Sequence, residues 1–444
     1  MKAERNAAFA FLGGFNKKTS YNISTVMFKE QIQNILDELK SNNMYRHITK
    51  IEHNGKYINS SNGERLLNLA SNDYLGLLDN KEYNQKFWNT NMLPYKVCFG
   101  SGSSRLLTGD CSAARELEEK AEELFSLAAK EEADAVHNTT TKRSLGALAF
   151  NSGYHANTGI IGAVGTLNNT IFIADKLAHA SIIDGLKLSG KKFERYRHND
   201  TAHLQKLVDE AKQQGYKNIV IITEAVFSMD GDTAPLDELV KIKRGNKEVV
   251  LYVDEAHSFG LYGKRGLGLC EYHSVLNDID IIVAPLGKAA SSVGAIAVAD
   301  SYLKEFLINR MRTLIFSTAL PQVNYARSSF FLSNLQDLQQ EREALQTITK
   351  QFKTALGIPL SETVETAIIP YRAESAEHAV ELQLLLEKNG VFAPAIRPPT
   401  VPPNGSRLRL SLTAAMEMDE LETVVNIIKN CLQILENEFL HNTH

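Results

Sequence analysis

Four short apolar runs punctuate the middle of the chain: 170–175 (TIFIAD), 219–224 (IVIITE), 249–254 (VVLYVD) and 279–284, read from Asp278 (DIDIIVA). They are continuous rather than alternating, as strands covered on both faces are. Helix-like stretches follow them, and this alternation predicts a mainly parallel α/β sheet. Each run ends near a polar or ionisable residue. In open parallel sheets the ligand crevice lies beyond the carboxyl ends of the strands, so Asp175, Glu224, Asp254 and Lys288 are predicted to converge there.

The flanks have a different texture. Phe28, Ile32, Ile35, Leu36 and Leu39 recur at helical spacing, predicting a helix that opens at Met27 behind an arm of residues 1–26. The last part changes character: 333–356 predicts one long helix, 367–371 and 407–412 predict strands, and 418–440 predicts an amphipathic helix. The expected organisation is an arm and helix over 1–67, a main α/β domain over 68–325 and a smaller α+β domain over 326–444. The polar, Thr-rich stretch 128–144 (AAKEEADAVHNTTTKRS) has no apolar period and predicts a surface insertion. No internal repeat of 20–50 residues is present.

Composition narrows the classes. At 444 residues the chain is long enough for a large core without disulfides. Apolar residues make up 43% and charged residues 23%, which excludes a disordered or collagen-like chain. Lys plus Arg is 48 and Asp plus Glu is 52, so 48 − 52 = −4, and nothing global favours nucleic acid or an anionic membrane. Cys98, Cys111, Cys270 and Cys431 are scattered without metal-ligand spacing, which fits a reducing cytoplasm and no metal site. No apolar run approaches the ~20 residues of a membrane helix.

Two near-motifs fail. Residues 185–192 (GLKLSGKK) resemble a nucleotide phosphate loop, but Lys192 stands where Ser or Thr should bind magnesium, and the strand–loop–helix context is missing. Residues 100–105 (GSGSSR) lack the third glycine of a dinucleotide fingerprint. The remaining candidates each have a plainer reading when taken singly. Asp254, directly after a strand, reads as a helix N-cap with His257 in the first turn, or as an anion beneath a cationic ring nitrogen. Lys288 reads as a solvated strand-end lysine, although small neighbours (Ala289, Ala290, Ser291, Ser292) leave room for a bulky group on the amine. His179 divides between a helix cap and a ligand-facing ring. The turn at Gly153 and Tyr154, between a strand at 148–151 and a helix, offers N–H groups to a phosphate.

Taken in order, these segments resemble the α-oxoamine synthase family of pyridoxal-phosphate enzymes. The resemblance runs from about Asn68 to about Asp419. It is carried by 68–77 (NLASNDYLGL), 100–109 (GSGSSRLLTG), 151–157 (NSGYHAN), 179–185 (HASIIDG), 224–232 (EAVFSMDGD), 253–260 (VDEAHSFG), Gly287-Lys288 and 316–321 (FSTALP). Residues 395–402 (AIRPPTVP) and 406–415 (SRLRLSLTAA) look most like the branch that joins alanine to a pimeloyl thioester in biotin synthesis. Sister branches use glycine or serine with acetyl or long-chain thioesters.

The resemblance implies the aminotransferase-like fold (fold type I), with 68–325 binding pyridoxal 5'-phosphate. It implies that Lys288 carries the cofactor and moves the substrate α-proton, and that Asp254 pairs with the pyridinium nitrogen. Ser228 and His257 would lie around the ring oxygen, and His179 on the ring face. Gly153 and Tyr154 would hold the phosphate, joined by Ser317 and Thr318 from the second subunit of a homodimer. Arg397 would take the amino-acid carboxylate, and Asn72 and Glu224 would contribute to the substrate site. The acyl donor would be a thioester of coenzyme A or acyl carrier protein. Two residues depart from the family pattern: Pro285 stands where a phosphate-donating Thr or Ser is usual, and Met416 where His is usual.

Overall fold

The computed structural model describes residues 17–42, 44–46, 48–91, 98–135, 143–398, 400–402 and 404–442. Its centre is a seven-stranded sheet. In spatial order the strands are Leu145–Phe150, Ala295–Asp300, Ile281–Pro285, Val249–Asp254, Asn218–Glu224, Thr170–Asp175 and Phe193–Tyr196. The last five are mutually parallel, and Ala295–Asp300 runs antiparallel to both its neighbours. The predicted runs at 170–175 and 249–254 match their strands end to end. Their apolar continuity has a direct cause. Ile171, Ile173, Ile221 and Val253 enter one core while Phe172, Ala174, Ile222 and Tyr252 enter the other. Both faces are covered, so neither has polar positions to alternate with.

Two smaller sheets flank this layer. Ile51–Asn54, Tyr57–Ser60 and Arg65–Asn68 form an antiparallel meander whose last strand pairs in parallel with Val391–Phe392. Ile368–Arg372, Arg407–Ser411 and Ala395–Ile396 form the other. The terminal helix, Met418–Asn442, follows the predicted span closely.

Three expectations need correction. The first helix spans Lys17–Ser41 and so begins ten residues before Met27, while residues 1–16 of the expected arm lie outside the described residues. The long helix expected over 333–356 is broken. Gln322–Ser333 ends at Asn334, whose Nδ2 turns back to the Phe330 carbonyl at 2.7 Å, and a 3-10 turn over Leu335–Leu338 precedes the helix Gln339–Ala355. Leu335 and Leu338 are buried, and packing them sets the bend.

The insertion at 128–144 is, in its first half, the end of the helix Ser112–Ala135. Ala128 and Ala129 continue the buried stripe of Ala114, Leu117, Ala121 and Phe125. Glu132 accepts the backbone N–H groups of Leu276 and Asn277 at 2.9 and 3.3 Å. Arg143 donates to Asp300 at 2.8 Å. Residues 136–142 lie outside the described residues.

Candidate active site

The strand ends bring their polar residues to one place. Asp254 closes its strand and is buried; its Oδ2 accepts from Asn157 Nδ2 at 2.8 Å and its Oδ1 accepts the Ala256 N–H at 3.0 Å. Asn157 is itself fixed, because its Nδ2 also reaches Ser181 Oγ at 2.9 Å and its Oδ1 accepts from the Tyr252 hydroxyl at 2.6 Å. A buried carboxylate held by this many donors is oriented before any ligand arrives.

Lys288 sits in a turn that follows the Ile281–Pro285 strand. The turn is clamped: the Leu286 N–H donates to the Gly294 carbonyl at 2.9 Å, and the Ser292 N–H to the Leu286 carbonyl at 3.0 Å. Ser291, with φ 46°, places its hydroxyl on Asp73. Burial lowers the Lys288 pKa below the usual lysine range, against the pull of Asp254 and Glu224. Such an amine can surrender its proton. The small neighbours divide in their roles. Ala289 and Ala290 are core residues, with Ala289 against Gly260, while Ser291 and Ser292 line a cavity of about 560 Å³ together with Lys288 and Asn72. A larger cavity, about 1370 Å³, lies against the Gln339–Ala355 helix and contains none of these residues.

His179 is the N-cap of the helix Ala180–Ser189: its Nδ1 accepts the Ser181 N–H at 3.2 Å, and its own N–H donates to Glu224 Oε1 at 2.6 Å. The cap reading holds. Surrounding protein lowers the His179 pKa despite the Asp254 carboxylate. Burial raises the Glu224 pKa to about 8, with Asp254 adding to the rise. His257 is buried against the Tyr74 hydroxyl, 2.6 Å from Nδ1, and burial and the Lys288 charge hold its pKa well below the usual value.

The helix Gly153–Val164 begins at Ser152, whose hydroxyl accepts the His155 N–H at 3.2 Å. Its first-turn N–H groups, those of Gly153 and Tyr154, are the ones a helix start leaves without intrahelical partners. A Cβ at Gly153 would stand 2.7 Å from Pro285 Cγ, so this turn tolerates only glycine while proline is its neighbour. The Tyr154 hydroxyl donates to Asp184 at 2.7 Å. Thr318 lies beside this turn, its carbonyl accepting from Asn151 Nδ2 at 2.7 Å, and with Ser317 it forms part of a segment laid along Ser103 and Ser104.

Arg397 does not line the Lys288 cavity. It lines a smaller one, about 140 Å³, with Met44, Arg46 and Thr400. Arg409, which the sequence reading passed over, reaches the site instead: it donates to Asn72 Oδ1 at 3.0 Å and to the Ser228 carbonyl at 2.6 Å, and so ties Ser228 to Asn72. The alternation RLRLS was its signal, since a strand whose polar positions are also buried needs partners for them. His198 was missed as well. Its Nδ1 meets Asp175 at 2.9 Å and its Nε2 meets Asp232 at 2.6 Å, linking the strand end before His179 to the loop that carries Ser228.

These residues suit a phosphorylated pyridine aldehyde: a buried amine of lowered pKa, a fixed carboxylate for a ring nitrogen, and a helix start for a phosphate. Comparison with known proteins agrees. The aminotransferase class I and II family matches residues 64–428. The 8-amino-7-oxononanoate synthase of Haemophilus ducreyi is 41% identical over 88% of this chain and 97% of its own length. The solved 8-amino-7-oxononanoate synthase of Francisella tularensis is 28% identical, with a TM-score of 0.65 over 84% of this chain and 99% of that one. A serine palmitoyltransferase solved with pyridoxal phosphate is 25% identical, with a TM-score of 0.75 over 88% of this chain and 92% of that one. The fold, the cluster at the strand ends and these matches over most of the chain agree, and the protein belongs to the aminotransferase class I and II family.

Proposed function

We infer that the chain catalyses the decarboxylative condensation of L-alanine with a pimeloyl thioester, giving 8-amino-7-oxononanoate, carbon dioxide and the free thiol carrier in biotin synthesis. The match to the Haemophilus ducreyi synthase, over 88% of this chain and 97% of that one, carries this reading. The atoms balance. C1–C7 of the product are the seven carbons of a dicarboxylic acyl group, and C8 and C9 are the α- and β-carbons of alanine. The alanine carboxylate leaves as carbon dioxide and the carrier as its thiol.

Pyridoxal 5'-phosphate is the cofactor; when bound it supplies the electron sink that makes the amino-acid α-carbon acidic. Lys288, easily deprotonated where it is buried, removes and returns the α-proton. Asp254 would keep the cofactor's ring nitrogen protonated. Ser228 and His257 would hold its ring oxygen, and His179 would pack on the ring and position the thioester. Gly153 and Tyr154 would donate N–H groups to its phosphate. Arg397 would hold the alanine carboxylate in a bidentate pair by swinging towards Lys288 from the small cavity it lines with Met44 and Arg46, with Asn72 and Glu224 as further contributors.

The working unit is a homodimer, in which Ser317 and Thr318 would reach the phosphate of the cofactor held by the other subunit. Phe99, Leu106, Leu107 and Phe316 support this assembly: all four are exposed, and they flank the Ser317–Thr318 segment and the loop it packs against.

Incubating the protein with pimeloyl-coenzyme A and each of alanine, glycine and serine tests the reaction. The expected product is the amino ketone from alanine; preferential turnover of glycine or serine would transfer the chain to a sister branch.

A further inference from the structure

Resting on that reading, we propose that Arg327 binds the terminal carboxylate of the acyl donor, and that the cavity it shares with Lys288 is the acyl subsite. Arg327 lies on the helix Gln322–Ser333, and the cavity passes between this helix, the helix Lys81–Asn91 and the Lys288 turn. The next residue, Ser328, hydrogen-bonds Ser292 of the lysine turn at 2.8 Å, which fixes guanidinium and amine on two walls of one cavity.

The guanidinium is placed but unsatisfied. It stacks over Tyr83 at 4.5 Å and Phe87 at 5.4 Å. Its Nη2 has one long contact, 3.4 Å, to the Leu77 carbonyl, and its buried Nη1 has no hydrogen-bond partner among the described residues. Burial lowers the Arg327 pKa against the opposing pull of Tyr83 and Asp73, the mark of a cation held away from solvent. Asp73, a carboxylate on the same cavity, is already committed: it accepts the N–H groups of Leu77 and Leu78, each at 3.0 Å, and the Ser291 hydroxyl. A buried donor without an acceptor is costly, and a planar fork of N–H groups is best answered by a carboxylate.

The substrate supplies one at the far end of its acyl chain. Six carbon–carbon bonds separate the terminal carboxylate of a pimeloyl group from its reacting carbonyl, a span of roughly 7–8 Å with bonds of about 1.5 Å. A cavity of about 560 Å³ accommodates that chain. An acyl group ending in methyl would occupy the same space and leave the guanidinium unanswered, so Arg327 favours the diacid.

The test compares pimeloyl-coenzyme A with heptanoyl-coenzyme A, which share chain length and carrier, using the holoenzyme and its Arg327→Met and Arg327→Gln forms. The ratio of kcat/KM for pimeloyl over heptanoyl should fall roughly ten- to hundredfold in both variants, as loss of a charge-assisted hydrogen-bonded pair predicts. Arg327→Gln keeps a polar planar group between Tyr83 and Phe87, and carries the test should Arg327→Met not fold. An unchanged ratio overturns the proposal. An equal fall for both donors also overturns it, assigning Arg327 to the carrier's phosphates or to the fold. Failure of the unaltered protein to use pimeloyl-coenzyme A would instead strike the proposed reaction itself.

Discussion

Two regions near Lys288 are built on opposite terms. At the strand ends, Asp254, Asn157, Tyr252 and Ser181 form a closed network in which the carboxylate is oriented by two donors. On a wall of the Lys288 cavity, Arg327 is held by ring stacking and one long hydrogen bond. The first arrangement leaves nothing to reorganise when charge moves at the reacting atoms, where fixed dipoles have most effect. The second keeps an unsatisfied donor for a group that arrives from outside. Chemistry is written into the satisfied network and selectivity into the unsatisfied one.

The sharpest way to break the contrast is at Asp254. Asp254→Asn keeps an oxygen for the Ala256 N–H and nearly the same volume, so the fold and cofactor binding should persist. The negative charge is lost, and turnover should fall by roughly three orders of magnitude, the upper end of what a preorganised group at a reacting centre contributes. Activity within tenfold of the parent would show that another group holds the ring nitrogen.

A smaller effect is expected at the phosphate turn, which lacks a donor. Pro285 has neither hydroxyl nor N–H, so it contributes no donor to the phosphate. Its ring is packed on Gly153, and it sits opposite Ala295 at the end of its strand. Pro285→Thr puts a β-branched residue, suited to a strand, at that place and adds a hydroxyl facing the helix start. A hydrogen bond to a charged group is worth ~1.5–3 kcal/mol, so cofactor loss during dialysis against a competing amine should slow about tenfold or more. No slowing, together with no effect of Ser317→Ala, would mean that the phosphate rests on neither position.

How much of this was legible follows from how local each signal is. Strands 170–175 and 249–254 could be read because burial on both faces leaves an unbroken apolar run. The end of the Ser112–Ala135 helix was hidden because Glu131 and Glu132 look solvated in sequence. Only the fold shows that they receive Arg265 and the N–H groups of Leu276 and Asn277. Lys288, Asp254 and His179 stand at strand or helix ends, where a linear reading places ligands. Arg327 and Arg409 come from a helix and a strand far along the chain. Their meaning depends on contacts with Tyr83, Phe87, Asn72 and Ser228 that no spacing encodes.

The smallest expected effect tests whether the closed network extends outward through His198. Burial pulls the His198 pKa down, but the hydrogen bonds and charges of Asp175 and Asp232 outweigh this and raise it to about 10. In the unfolded chain it returns near 6.5. A group whose folded pKa is raised binds its proton more tightly in the native state, so its stabilisation is complete below pH 6.5 and is lost as pH climbs towards 10. His198→Gln keeps polar contacts with both carboxylates but removes this titration. Thermal denaturation should therefore show the parent ahead by a few degrees near pH 6, with the gap closing by pH 10. Because the clip joins the strand end before His179 to the loop of Ser228, the variant should also lose turnover with little change in KM for either substrate. A gap that stayed constant from pH 6 to pH 10 would mean that His198 acts through packing against Phe227, 4.4 Å from its ring, and that the charged network ends at Asp254.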